Sequence, residues 1–145
     1  MKSYRHSSIE LHDSTIEELT LVESGIRVEL SCVLHLSEGT PGADGGISAV
    51  QDAVLLLPRG QIDGVVGVLP AEILDGELAV GAETFANMIR LPCQISGEAV
   101  SLTLFLHPDN RRLRLFGDGF EVALRGNPEC IEEWSGIDSR GGNAS

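Results

Sequence analysis

The chain has 145 residues, 22 acidic and 10 basic, for a net charge of −12, and 42% of it is hydrophobic. That length and apolar fraction predict one globular domain, able to bury roughly two thirds of its unfolded surface. Lys2 is the single lysine, which argues against a nucleic-acid role, since phosphate binding needs Lys and Arg in excess. The acidic balance fits either a soluble cytosolic protein or a surface matched to a basic partner.

Cys32, Cys93 and Cys130 are far apart and lack metal-ligand spacing, and their odd number points to a reducing compartment. Met1 to Ser8 contains no apolar leader-like run, and the longest aliphatic run, Ala53 to Leu57, is too short to cross a bilayer. A cytoplasmic location without membrane attachment is the expectation.

In chain order, Met1 to Ser7 reads as frayed. Ile9 and Leu11 alternate with Glu10 and His12, predicting a short strand that ends at His12-Asp13-Ser14. Ser14 and Glu17 have the spacing of a helix capping box, but Leu19 and Leu21 alternate with Thr20, and the reading for Thr15 to Glu23 is strand. Ile26, Val28, Leu30, Cys32, Leu34 and Leu36 form the cleanest alternation of the chain. A turn at Glu23-Ser24 or Ser24-Gly25 pairs this strand with Leu19 and Leu21 in either case.

Ser37 to Gly46 has the composition of a loop. Ile47 to Leu57, wholly apolar from Ala53, predicts a central strand. Pro58-Arg59-Gly60 is read as a turn that sends the chain back into Gln61 to Leu69. Within Pro70 to Ala82 the expectation is a turn at Asp75-Gly76 and a short strand after it, and Thr84 to Met88 leads onward.

Ile89 to Leu124 reads as a four-stranded meander. A two-residue Gly97-Glu98 loop sets Ile95 opposite Val100, Cys93 opposite Leu102 and Leu91 opposite Leu104. A type I′ turn at Asp118-Gly119 sets Leu115 opposite Val122 and Leu113 opposite Leu124. Between them, His107-Pro108-Asp109-Asn110 is either a four-residue loop pairing Leu104 with Leu113 or a two-residue loop pairing Leu106 with Leu113. Finally, Asn127-Pro128-Glu129 has the signature of a helix start, with Ile131 and Trp134 on one helical face. The fold expectation is therefore all-β: an antiparallel β-sandwich or flattened barrel of about eight to ten strands, with a short C-terminal helix. The β domain spans residues 1–134, followed by a disordered polar tail over 135–145.

No catalytic constellation is visible, so an enzyme is not expected, and neither a cofactor nor a metal is implied. His12-Asp13-Ser14 holds the residue types of a hydrolase triad, but strand neighbours point to opposite faces. A turn in which these side chains bond nearby backbone is the expected role. His6, His12, His35 and His107 lack metal-binding spacing and are expected to be exposed. On the face opposite the meander core, Phe105, Arg112, Arg114, Phe116, Glu121 and Arg125 combine aromatic residues with arginine, a composition favoured in protein interfaces. The competing reading has this face covered by the Ile131/Trp134 helix or by a second sheet.

Leu11-His12-Asp13-Ser14, then Ile16 and Leu19, then a long alternating strand and a Leu113-Arg114-Leu115 to Leu124 hairpin together resemble a group of small bacterial all-β proteins. These begin with a His-Asp-Ser or His-Asp-Ala strand end and finish with a hairpin of the Leu-x-Leu type. Most are uncharacterised, and some resemble immunity proteins, which bind and neutralise a cognate bacterial toxin. The resemblance, the net charge of −12 and the lack of a catalytic constellation together lead to the expectation of a binding protein of the immunity type. It would inhibit a basic protein partner by occlusion, steered by its acidic surface, including Glu129, Glu132 and Glu133. The alternatives are a structural or homo-oligomerising β module and a small-ligand barrel.

Overall fold

The computed structural model describes residues 6–37 and 46–134, with side chains through Ile131. Most of the expected frayed start, the interior of the 37–46 loop and the whole polar tail lie outside the described residues. The described residues form nine strands: β1 (His6–Val22), β2 (Gly25–Ser37), β3 (Gly46–Pro58), β4 (Gln61–Gly64), β5 (Ala71–Val80), β6 (Glu83–Ala86), β7 (Met88–Leu91), β8 (Gln94–Leu106) and β9 (Arg111–Trp134). All belong to one antiparallel sheet in the order β6-β5-β8-β9-β3-β2-β1-β7, with β4 against β9.

The sheet curls into a partial ring. Ile16 and Thr15 of β1 pair with Ala71 and Glu72 of β5, so the path β1-β2-β3-β9-β8-β5 returns to its start. The inward faces fill the ring with aliphatic side chains: Ile9, Leu11 and Ile16 from β1, Val28 and Leu30 from β2, Leu102, Leu104 and Leu106 from β8, and Phe120 from β9, all at most 1% exposed. The period of two in the sequence sorts these residues correctly, because successive strand side chains alternate between faces.

Several pairings follow the sequence expectation. The β1–β2 turn is Glu23-Ser24, with Leu21 opposite Ile26 and Leu19 opposite Val28. β3 is central between β2 and β9, and Ala53, Val54, Leu55 and Leu57 are all buried. The His107–Asn110 loop takes its four-residue form and sets Leu104 opposite Leu113.

Other expected turns are bends inside longer strands. β8 runs unbroken through Gly97-Glu98: Ser96 lies opposite Gly119 and Val100 opposite Gly117, so residues 97–99 bulge against Asp118 alone. Leu102 consequently meets Leu115 and Leu78 rather than Cys93, and Leu91 meets Ser7 of β1. β9 likewise continues through Asp118-Gly119. Neither residue is among those with positive φ, which a type I′ turn requires at both central positions. The glycines serve close approach instead. A Cβ on Gly117 would lie 2.9 Å from the Leu57 Cβ, and one on Gly119 would lie 2.5 Å from the Ile95 carbonyl oxygen.

Pro58-Arg59-Gly60 does not reverse the chain either. Leu56 lies opposite Glu121 and Gln61 opposite Phe116, so β3 and β4 cross β9 in one direction and one register, interrupted by a corner at Arg59. Asp75-Gly76 does not turn the chain: both residues pair regularly with β8 inside a ten-residue β5, just after a bulge at Leu74.

The expected C-terminal helix is absent: residues 127–134 are part of β9. Asp52 lies opposite Arg125 and Val50 opposite Glu129, so residues 126–128 bulge against Gln51. The Gln51 side-chain amide donates to the carbonyls of Gly126 (2.8 Å) and Arg125 (3.3 Å). These bonds hold the Asn127-Pro128 step in the sheet, where tertiary pairing overrides the local helix signal.

Two predictions follow from this architecture. Gly119→Ala should destabilise the protein by about 1–3 kcal/mol, since backbone must move to admit the methyl group. Asp118→Ala should change stability by less than about 0.5 kcal/mol, because its bond to Arg59 is an exposed ion pair. Urea denaturation of both variants measures the contrast, and equal effects would restore the turn reading. The second prediction concerns Cys32, whose thiol donates to the Gln51 carbonyl at 3.1 Å and whose pKa burial pushes from 9.0 up to about 12. A raised folded-state pKa gives stability that is complete below pH 9 and is lost as pH climbs toward 12. Cys32→Ser should flatten that alkaline decline in a denaturation series.

Candidate functional site

Three outward-facing groups of side chains stand out. The first is on β8 and β9, where Phe105 lies opposite Arg112, Thr103 opposite Arg114 and Ser101 opposite Phe116. The Arg114 guanidinium sits 4.8 Å from the Phe116 ring centroid, a cation–π contact. On the far side of β8, β5 sets Asp75 beside Phe105 and Glu77 beside Thr103. The result is an open groove of about 330 Å³ with a Thr103/Phe105 floor, an acidic wall and an arginine wall. Asp63 of β4 approaches Arg112 at 3.9 Å from behind. The arginines are thus flanked by carboxylates on both sides, and no described helix or second sheet covers Phe105 and Phe116.

Glu121 and Arg125 do not join that group. Beyond Gly119, β9 is carried along β3, which takes Glu121 to a cleft at Ser24, Leu56 and Pro58. Arg125 enters the second group, a groove of about 370 Å³ on the outer face of β1, β2, β3 and β9. Glu17, Glu29 and Asp52 line it with Arg125. Glu18 also lies directly opposite Glu29, a like-charge cross-strand pair that destabilises a sheet. Arg27 approaches Glu29 only at 3.7 Å. The Glu18/Glu29 pair was open to sequence reading, since the Leu19–Val28 pairing places the two opposite each other; the convergence of Asp52 and Arg125 on Glu29 was not.

The third group surrounds His12-Asp13-Ser14. β1 does not end there but bulges: Glu10 lies opposite Val33 and Thr15 opposite Ser31, leaving four residues against Cys32. Asp13 has φ 74°. Ser14 is fully buried; its hydroxyl donates to the Glu10 carbonyl (2.6 Å) and accepts from the Val33 amide (3.0 Å), replacing ladder bonds that the bulge removes. The backbone-bonding role expected of this segment therefore falls to Ser14, and no Ser-His pair forms. The left-handed residue also undoes the assumption that neighbours face apart. His12 Nε2 lies 3.2 Å from Asp13 Oδ2, while its Nδ1 lies 2.9 Å from Glu10 Oε2. His35, on β2, contacts the other Glu10 oxygen at 2.6 Å. These two histidines are thus engaged by carboxylates rather than merely exposed, and Glu10, His12 and Asp13 could together hold a cation.

Cys93 is half-buried and its pKa is raised by that burial, which makes it a poor nucleophile. No protein-family model, characterised protein or solved structure matches this chain.

Removing the Ser14 hydroxyl takes away the acceptor of the part-buried Val33 amide. Ser14→Ala should cost about 1–3 kcal/mol and accelerate hydrogen exchange at Val33 more than at Val28. Uniform exchange along β2 would show that the hydroxyl is not what holds the bulge.

Proposed function

We propose that this chain is a binding protein of the immunity type, which occludes a basic surface on a protein partner. The observation that carries the reading is the acidic groove formed by Glu17, Glu29 and Asp52, with Arg125 the one cation lining it. Glu18 stands opposite Glu29 at the side of this groove, a like-charge pair that costs the sheet stability and that Arg27 meets only at 3.7 Å. A cationic side chain beside Glu29 would offset that repulsion. The net charge of −12 adds long-range attraction for a basic surface and speeds encounter. Curled into a flattened barrel, the sheet offers a stiff support, which lowers the entropic cost of association.

The Phe105/Arg112/Arg114/Phe116 strip is a second contact region of mixed charge. Its aromatic rings supply apolar area, and its alternating acidic and basic walls suit orientation of a partner more than attraction.

The test uses the tagged chain and a charge-neutralised variant, Glu17→Gln with Glu29→Gln and Asp52→Asn, as baits in lysate of the host. At low salt the parent should retain a basic protein that high salt releases, as expected for screened charges. The variant should retain at least tenfold less of that same protein. Equal retention by both baits, or retention indifferent to salt, would remove the electrostatic occlusion account.

A further inference from the structure

We infer that the β1 bulge is a binding site for a divalent first-row transition-metal ion, with Glu10, His12 and Asp13 as its protein ligands. One donor atom from each of the three lies within 4.8 Å of the others, the one such group of three or more His, Cys, Asp or Glu among the described residues. Glu10 Oε2 faces His12 Nδ1 while Asp13 Oδ2 faces Nε2. Ligands around an ion of zinc's size sit roughly 3.4 Å apart at bond lengths near 2.1 Å, so an ion held on one ring nitrogen requires the half-exposed His12 ring and one carboxylate to reorient around it.

Three features make this more than a chance meeting of polar groups. In a regular strand, residues 12 and 13 would diverge; the left-handed backbone at Asp13 turns its carboxylate toward the His12 ring. Asp is one of the few residues that adopts that conformation at modest cost. Beneath it, the buried Ser14 hydroxyl ties the backbone of the bulge to Glu10 and Val33, so only side chains need to move when an ion arrives. On the far side, His35 reaches across from β2 to Glu10 Oε1 and leaves Oε2 turned to His12. An outer partner that orients a ligating carboxylate is a recurrent part of metal sites.

The donor set selects the ion. One imidazole nitrogen with two carboxylates suits zinc, nickel or cobalt; the nitrogen disfavours calcium and magnesium, and the lack of thiolate disfavours copper(I). His12 and Asp13 are about half exposed, with side chains at 47% and 59%, which leaves water free to complete the coordination. This inference is independent of the proposed acidic-groove interaction.

Zinc chloride titrated calorimetrically into the full chain is the test. The parent should show one saturable site, and its ¹H–¹⁵N imidazole signals should shift at His12 but not at His107. His12→Ala should abolish the saturable heat, and His35→Ala should weaken binding about tenfold. Asp13→Asn, which keeps a residue tolerant of the left-handed conformation, should weaken binding while leaving the circular dichroism spectrum unchanged. Absence of a saturable site in the parent would overturn the inference. So would unchanged binding by His12→Ala, which would assign the zinc to the cysteines or the other histidines.

Discussion

Hydrogen-bonded strands can bend together only if their backbones come closer at the bend than side chains ordinarily permit, and the fold depends on meeting that condition along one line. There Gly117 lies against Leu57 and Pro58, Gly119 against the Ile95 carbonyl, and the Arg59 amide donates to the Ser24 carbonyl at 2.8 Å. Buried backbone groups must stay paired through such a bend, and a side chain at Gly119 would stand where a carbonyl does. The line crosses β8, β9, the β3–β4 corner and the β1–β2 turn. The aliphatic faces on either side of it close over a common interior.

The same line divides the surface. Side chains of β9 before Gly117 are flanked by β8 and β4, so Arg112, Arg114 and Phe116 form a strip framed by Asp63, Asp75 and Glu77. Side chains beyond Gly119 are flanked by β3 and reach a different surface, where Arg125 meets Asp52 across the ladder and Glu17 and Glu29 beyond it. Two regions of different character thus arise from one continuous strand. The bulge at His12-Asp13 belongs to neither and occupies the stretch of β1 between its β7 and β5 partners.

What was legible in the sequence is the alternation. Leu102, Leu104 and Leu106, or Ile26 through Leu34, declare which face is buried because burial follows residue parity whatever the partner strand. The reversals at Glu23-Ser24 and His107–Asn110 were legible too; what was not legible is which of the other turn-like segments reverse the chain. Gly97-Glu98, Asp118-Gly119 and Pro58-Arg59-Gly60 have the composition of turns, but a bulge also needs small or left-handed residues, and local composition does not separate the two. An even-numbered turn and an unbroken strand leave the same residues inside, so apolar pairing in the expected meander could not reveal the error. At Asn127-Pro128-Glu129 the local helix signal was outweighed by the Gln51 amide, 75 residues away in sequence from its Gly126 partner. For the surface groups, Phe105 with Arg112 and Arg114 followed from parity. The His12–Asp13 approach did not, because it depends on one left-handed residue that parity reasoning assumes away.

β1 has consequences for the order in which the molecule assembles. Its first half binds β7 through Ile9 and Ile89, and its second half binds β5 through Ile16 and Ala71, so one of its edges waits for chain made some 55 to 80 residues later. During synthesis β1, β2 and β3 can pair locally, while Ile9, Leu11 and Ile16 face solvent along an open edge. Such an edge is a template for the wrong strand, and closing it late over a long loop is slow. The bulge bends and interrupts that edge midway and places Glu10, His12 and Asp13 beside it. A nascent β1 is thereby a poorer partner for another copy of itself than its aliphatic residues alone would make it.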